Sequence, residues 1–219
     1  MSVVKVCGLR RESDAIDAVT LGADLLGMVF YRRSPRAIGE TEAASLVKTV
    51  RRLHADARFL GVFVDEPVES ILRIAATLNL YGIQLHGDEP SEVVHRLGEA
   101  GLFVIKAHRI GARSDLSRVG TYGANADLLD THVPGLPGGT GTAFDWSLAS
   151  DRTSSQPILL AGGLTPDNVE DAICTVRPWG VDVSSGIECE PGIKDFRKMQ
   201  RFIESARAAF AREVSDDAR

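Results

Sequence analysis

Short apolar runs separated by amphipathic stretches repeat along the whole chain, and this alternation constrains the fold more than any other feature. The runs cover residues 3–6, 25–30, 59–64, 82–86, 103–107, 126–131, 157–161 and 180–184. Between and after them, residues 42–54, 68–78, 91–100, 166–176 and 195–210 carry apolar side chains at helical spacing, as do Ala15, Ile16, Val19 and Leu21. Eight strand-then-helix units predict an α/β chain with an all-parallel sheet. The runs are apolar almost throughout rather than alternating, the pattern of strands covered on both faces. The helical signal is weakest after the fifth and sixth runs.

Eight such units either wind doubly or close on themselves. The first strand is not followed by the Gly-x-Gly-x-x-Gly turn of a dinucleotide fold. The expectation is therefore closure into a single-domain (β/α)8 TIM barrel over residues 1–210, with residues 211–219 a polar tail that frays. In such a barrel the site lies at the C-terminal ends of the strands. The positions to inspect are then Cys7, residues 32–36, Asp65, His86, Ala107 with His108, Asp130, Gly162 with Gly163, and residues 182–186.

The 219 residues suffice to bury a core without disulfides or metals. Twenty-five basic against 30 acidic side chains give a net charge of −5, which argues against a nucleic-acid partner. No apolar run approaches the roughly 20 residues of a membrane helix. The N-terminus lacks the basic and apolar regions of a secretory signal. Three cysteines, Cys7, Cys174 and Cys189, have neither disulfide nor zinc spacing. A reducing cytoplasm is the expected setting.

Two glycine-containing loops follow the seventh and eighth strands: Gly162 and Gly163 in the first, Ser184, Ser185 and Gly186 in the second. Barrels bind phosphate there, where backbone amides approach the anion. A third loop, with Gly138, Gly139 and Gly141, is positioned to fold over a ligand. Arg36 follows a rigid Ser-Pro and suits a carboxylate, whereas Arg32 and Arg33 are expected to be solvated. Cys7 and Asp130 end the first and sixth strands, on opposite sides of the mouth. Either one taken singly is as readily a packing or capping residue, and the pair together makes an acid and a base. His86 ends the fourth strand and is equally a structural hydrogen-bonder or a ligand. Cys174, Trp146 and Trp179 are expected to pack in the core, and no histidines have metal spacing.

These residues resemble a known family. Lys5-Val6-Cys7-Gly8, Ser34-Pro35-Arg36, Gly61-Val62-Phe63-Val64, Gln84-Leu85-His86-Gly87, Leu129-Asp130-Thr131, Pro137-Gly138-Gly139-Thr140-Gly141 with Phe144-Asp145-Trp146, Ala161-Gly162-Gly163-Leu164 and Asp182-Val183-Ser184-Ser185-Gly186 match, in order, the motifs of the phosphoribosylanthranilate isomerases of tryptophan biosynthesis. The resemblance spans residues 4–210. It implies an aldose-ketose isomerase that needs no cofactor and no metal, with Cys7 as general base and Asp130 as general acid. It further implies substrate binding by Arg36, His86 and Asp182, with Arg36 on the anthranilate carboxylate. Phosphate binding is implied for Gly138, Gly139, Gly141, Gly162, Gly163, Ser184, Ser185 and Gly186. The partner would be a small phosphorylated aminosugar, bound by a monomer or homodimer.

Two segments depart from the family pattern: Arg10, where threonine is common, and the basic run from Lys106 to Ile110. Three other readings compete. A histidine-pathway aminosugar isomerase of similar fold carries aspartate where this chain has Cys7. A paralogue acting on another aryl aminosugar would look much the same. A barrel that binds a sugar phosphate without turnover would need neither Cys7 nor Asp130.

Overall fold

The computed structural model describes residues 2–131, 146–150 and 154–217. Its eight parallel strands are β1 (Val3–Cys7), β2 (Leu25–Val29), β3 (Phe59–Phe63), β4 (Gly82–Leu85), β5 (Phe103–Ile110), β6 (Ala126–Thr131), β7 (Ile158–Leu160) and β8 (Gly180–Val183). They pair in sequence order, and β8 returns to β1, closing the barrel. Around it lie α1 (Glu12–Thr20), α2 (Glu40–Leu53), α3 (Val68–Leu78), α4 (Ser91–Glu99), α5 (Trp146–Ser150), α6 (Val169–Val176) and α7 (Phe196–Asp217). The expected architecture is the observed one, a single-domain (β/α)8 barrel.

Each helix forms because its apolar residues fall on one stripe. In α3 the buried residues are Val68, Ile71, Ile74, Ala75 and Leu78, spaced to face the strands. Asn79, in the left-handed region at φ 48°, ends that helix. In α2, Glu40 and Glu42 begin and Arg51 and Arg52 end the helix, both pairs complementing its dipole.

Side chains alternate across each strand, which divides the core into two. Val4, Val6, Leu26, Met28, Phe63 and Leu129 belong to the large cluster between strands and helices. Leu25, Leu60, Ile105, Ala126, Leu128 and Leu159 form a second cluster that fills the barrel. On β1 the residues of inward parity are Val3, Lys5 and Cys7, so the strand raises a lysine and a cysteine along the barrel axis.

Four details differ from the sequence-based expectation. After β5 there is a 3-10 turn, Arg113–Arg118, rather than an α-helix. Its start is held by Asp115, whose Oδ2 accepts from the amides of Gly111 and Ala112. Strand β5 itself continues past Ala107 to Ile110, paired with β6 throughout. Helix α7 runs on to Asp217, beyond Phe210, where a fraying tail was expected to begin. Cys174, expected in the core, is exposed on α6. A further hairpin, β9 (Glu188–Glu190) with β10 (Ile193–Lys194), follows β8 and had no counterpart in the sequence reading.

Candidate active site

The strand ends enclose an open cleft of about 760 Å³ lined by Cys7, Arg36, Gln84, His86, Asp130 and Asp182, by Gly162 and Gly163, and by Ser184 and Ser185. Residues named from six different strand ends thus meet in one place. Gly138, Gly139 and Gly141 lie outside the described residues. Among the described residues no group of three or more His, Cys, Asp or Glu side chains is arranged to hold a metal.

The loops after β7 and β8 are shaped by glycine. Gly162 and Gly163 line the cleft with φ of 81° and 66°, a left-handed conformation that glycine adopts without strain. Asn168 braces this loop: its Oδ1 accepts from the Thr165 amide at 2.8 Å and its Nδ2 donates to the Gly163 carbonyl at 3.0 Å. Gly186 lies against the same loop. A Cβ there would stand 1.9 Å from the Leu164 carbonyl oxygen, so only glycine permits the approach. Gly186 thereby seats one glycine loop on the other, while Ser184 and Ser185 face the cleft.

Cys7 is buried at the top of β1. Burial pushes its thiol above the ordinary range; the Lys5 ammonium pulls it back down, the Asp182 carboxylate pushes it up, and Lys194 adds a smaller downward pull. Lys5 is wholly buried, and its Nζ donates to Asp182 Oδ1 at 2.9 Å. Burial alone would lower Lys5, but Asp182 and Cys7 outweigh it and hold the ammonium charged. Asp182 is raised by its burial, with Lys5 opposing.

Asp130 is buried at the end of β6, facing His86. His86 Nε2 stands 3.3 Å from Asp130 Oδ2, close enough for an ion pair but too poorly aligned for a hydrogen bond. The Gln84 amide nitrogen lies 2.8 Å from His86 Nδ1. An amide NH2 only donates, so with Gln84 on Nδ1 the neutral ring carries its proton on Nε2. His86 is thus a positioned neighbour of Asp130.

Arg36 is less free than its sequence context suggests. Its Nε and Nη2 donate to the two carboxylate oxygens of Glu188 at 2.8 and 2.7 Å. The Glu188 carboxylate also accepts from Lys194 Nζ at 2.9 Å. Burial alone would raise the Glu188 pKa, but Arg36 and Lys194 outweigh that and hold it below the ordinary range. The edge of the guanidinium formed by Nη1 and Nη2 remains for a ligand in the cleft. Glu188 and Lys194 come from the β9–β10 hairpin and carried no sequence signal, because that hairpin is too short to show a period.

Lys5 was also missed, although it had a signal. It is a lysine two residues before Cys7 in an otherwise apolar strand, hence on the same face. Both segments that departed from the family pattern have structural duties. Arg10 Nη1 donates to the Pro35 carbonyl at 3.0 Å, tying the first loop to the second. Lys106 is buried on Glu89 and the Gly87 carbonyl, each at 2.7 Å. His108 Nε2 lies 2.7 Å from Asp127 Oδ1. Arg109 Nη2 donates to the His86 carbonyl at 3.3 Å.

Cys7, Asp130, Gly162, Gly163, Ser184 and Ser185 thus line one cleft. A family model described as N-(5'-phosphoribosyl)anthranilate isomerase matches residues 4–205, nearly the whole chain. This chain belongs to the phosphoribosylanthranilate isomerase family. A phosphoribosylanthranilate isomerase of Thiobacillus denitrificans is 46% identical over 211 residues, 94% of this chain and 98% of its relative. A second, from Rubrobacter xylanophilus, is 44% identical over 95% of this chain and all of the relative. A crystal structure of the Thermotoga maritima isomerase is 40% identical, covers 95% of this chain and 100% of its own, and superposes with a TM-score of 0.85. Family membership accounts for the barrel, the glycine loops and the strand-end motifs together.

Proposed function

We propose that this chain converts N-(5-phosphoribosyl)anthranilate to 1-(2-carboxyphenylamino)-1-deoxyribulose 5-phosphate, an Amadori rearrangement of tryptophan biosynthesis. The observation that carries this reading is the convergence of Cys7 and Asp130 on one cleft beside two amide-lined glycine loops, within a chain of this family. A related phosphoribosylanthranilate isomerase has been solved in complex with the reduced form of that product; it is 39% identical, covers 95% of this chain and 100% of its own, and has a TM-score of 0.83.

In this reading the substrate phosphate lies on the amides of Gly162, Gly163, Ser184, Ser185 and Gly186. Arg36 takes the anthranilate carboxylate with its free edge, and Asp182 meets a sugar hydroxyl. Asp130 gives a proton to the furanose ring oxygen. The bond from that oxygen to C1 breaks, and the nitrogen lone pair forms the C1=N bond of a Schiff base. Cys7, as thiolate, removes the C2 proton; the electron pair left behind forms C1=C2 and neutralises the nitrogen. The enolamine then takes a proton at C1 while its C2 hydroxyl gives up a proton to solvent, the C1=C2 double bond becoming the C2=O of the aminoketose. One acid and one base suffice, each contributing on the order of 10²–10⁴-fold. Burial disfavours the thiolate, and the Lys5 ammonium beside it opposes that effect. His86, with Nε2 at 3.3 Å from Asp130, is near enough to steady the carboxylate left after donation.

The three free cysteines suit a reducing cytoplasm, and among the described residues no helix is long and apolar enough to cross a membrane. The test is direct. Phosphoribosylanthranilate generated in situ is fluorescent, and adding the protein should abolish the signal with formation of the aminoketose. Binding without product would favour a non-catalytic sugar-phosphate barrel. In Cys7→Ala the rate should fall by about 10²–10⁴-fold with the circular dichroism unchanged.

A further inference from the structure

Two ammonium groups are buried beside the cleft, and the acid–base chemistry uses neither directly. Lys194 belongs to the Glu188 and Arg36 network. Lys5 does not: it sits inside the barrel, one inward position below Cys7, and β1 pairs with β8 so that Lys5 is directly opposite Asp182. On its other side β1 pairs with β2, where Gly27 is opposite Cys7. A Cβ on Gly27 would stand 2.8 Å from Cys7 Sγ and 3.2 Å from Lys5 Nζ. The missing side chain therefore opens one small space that both atoms border. A lysine fully inside a barrel loses its hydration, and such a residue persists only when its charge is matched. Here a single ammonium has two matches: the Asp182 carboxylate at 2.9 Å and a thiol that becomes an anion only when the base is armed.

We propose that Lys5 is a positioning residue for the base: its ammonium, held in place by Asp182 and given room by Gly27, stabilises the Cys7 thiolate and sets the pH at which that thiolate forms. This rests on the reading of Cys7 as general base. The groups that face this centre are Lys5 on β1, Asp182 on β8, Lys194 on β10, and Asp130 and His86 across the mouth on β6 and β4. Asp182 has the opposite effect to Lys5, because it competes for the same ammonium and adds like charge beside the thiolate. Burial raises the thiol, and Lys5 is the largest opposing influence. Charge within about 4–6 Å moves a titration by roughly 1–3 pH units.

The experiment is the titration of Cys7 followed by thiolate absorbance at 240 nm. It is done in a background with Cys174→Ser and Cys189→Ser, both of which are exposed positions, and read as the difference from the same protein carrying Cys7→Ser. Lys5→Met should move the midpoint up by about one pH unit or more, and Asp182→Asn should move it down. Opposite movements from two neighbouring buried residues are not what a shared structural role produces. Lys5→Met leaves Asp182 buried without a partner and is at risk of not folding. The double variant Lys5→Met/Asp182→Asn carries no lone buried charge, and its midpoint should also lie above wild type. In turnover, the folded lysine variant should lose kcat/KM most at neutral pH and regain it as pH rises. Midpoints of the folded variants that stay at the wild-type position would overturn the proposal. Failure of the base reading has a different signature: Cys7→Ala would keep turning over even though the titration of Cys7 responds to Lys5.

Discussion

The guanidinium of Arg36 and the carboxylate of Glu188, 152 residues apart in sequence, meet edge to edge through two hydrogen bonds of 2.8 and 2.7 Å. That pair, rather than the Ser-Pro turn alone, sets where Arg36 points. It ties the loop after β2 to the hairpin after β8, and Lys194 completes it from beneath. In the proposed function a substrate carboxylate would meet an arginine whose position is already fixed on its other edge.

Breaking this network should cost both binding and stability. Arg36→Ala is expected to raise KM more than it lowers kcat, since it removes a contact made in ground and transition states alike. Loss of one member of a buried ion pair typically costs about 3–5 kcal/mol, so the same variant should melt earlier. Glu188 titrates below its ordinary range in the folded chain. Its stabilisation is therefore complete above the ordinary glutamate pKa of about 4.3 and is lost as pH falls through the lower, folded value. Denaturant midpoints measured across that acid window should fall for the wild type and vary less for Glu188→Gln.

The Cys7 thiol is held above the ordinary range by its burial. If its anion is the base, kcat/KM should climb with pH through neutrality and beyond, by about tenfold per pH unit well below the midpoint. A rate profile measured from pH 6 to 9.5 checks this. A plateau reached by pH 7 would mean that Cys7 ionises earlier than its surroundings allow, or that another group is the base.

Inorganic phosphate and sulfate should inhibit competitively. The proposed function lays the substrate phosphate on the amides of Gly162, Gly163 and the Ser184–Ser185 turn, and backbone amides that hold a phosphate accept a tetrahedral anion whatever it is attached to. A crystal soaked in sulfate should show the anion between Gly163 and Ser185. Inhibition that is not relieved by substrate would place the anion elsewhere.

The barrel was legible in the sequence because parallel strands covered on both faces leave nearly continuous apolar runs, and helices leave their own spacing between them. Cys7, Asp130, His86 and the glycine loops were legible because each ends a strand, and in this architecture strand ends converge. What escaped was set by contacts between distant segments. The Glu188 and Lys194 hairpin is too short for periodicity, and nothing local marks Glu188 as the partner of Arg36. The 3-10 turn after β5 replaces a helix in a segment where Gly111, Gly120 and Gly123 interrupt any helical stripe. Cys174 looked apolar by residue type, yet it falls on the outer face of α6, opposite Ala172, Ile173 and Val176. Lys5 was visible as a charge in an apolar strand, but its meaning depended on Asp182 arriving opposite it across the closure of the barrel.

The most direct test of the account is the kcat of Asp130→Asn. The substitution keeps the shape of the side chain and its place beside His86 but has no acidic proton to give. The proposed function gives that proton to the ring oxygen, so kcat should fall by about 10²–10⁴-fold while KM changes little. Turnover near the wild-type rate would contradict the account: ring opening would then proceed without Asp130, and the pairing of Cys7 with Asp130 across the barrel mouth would not be the acid and base of this reaction.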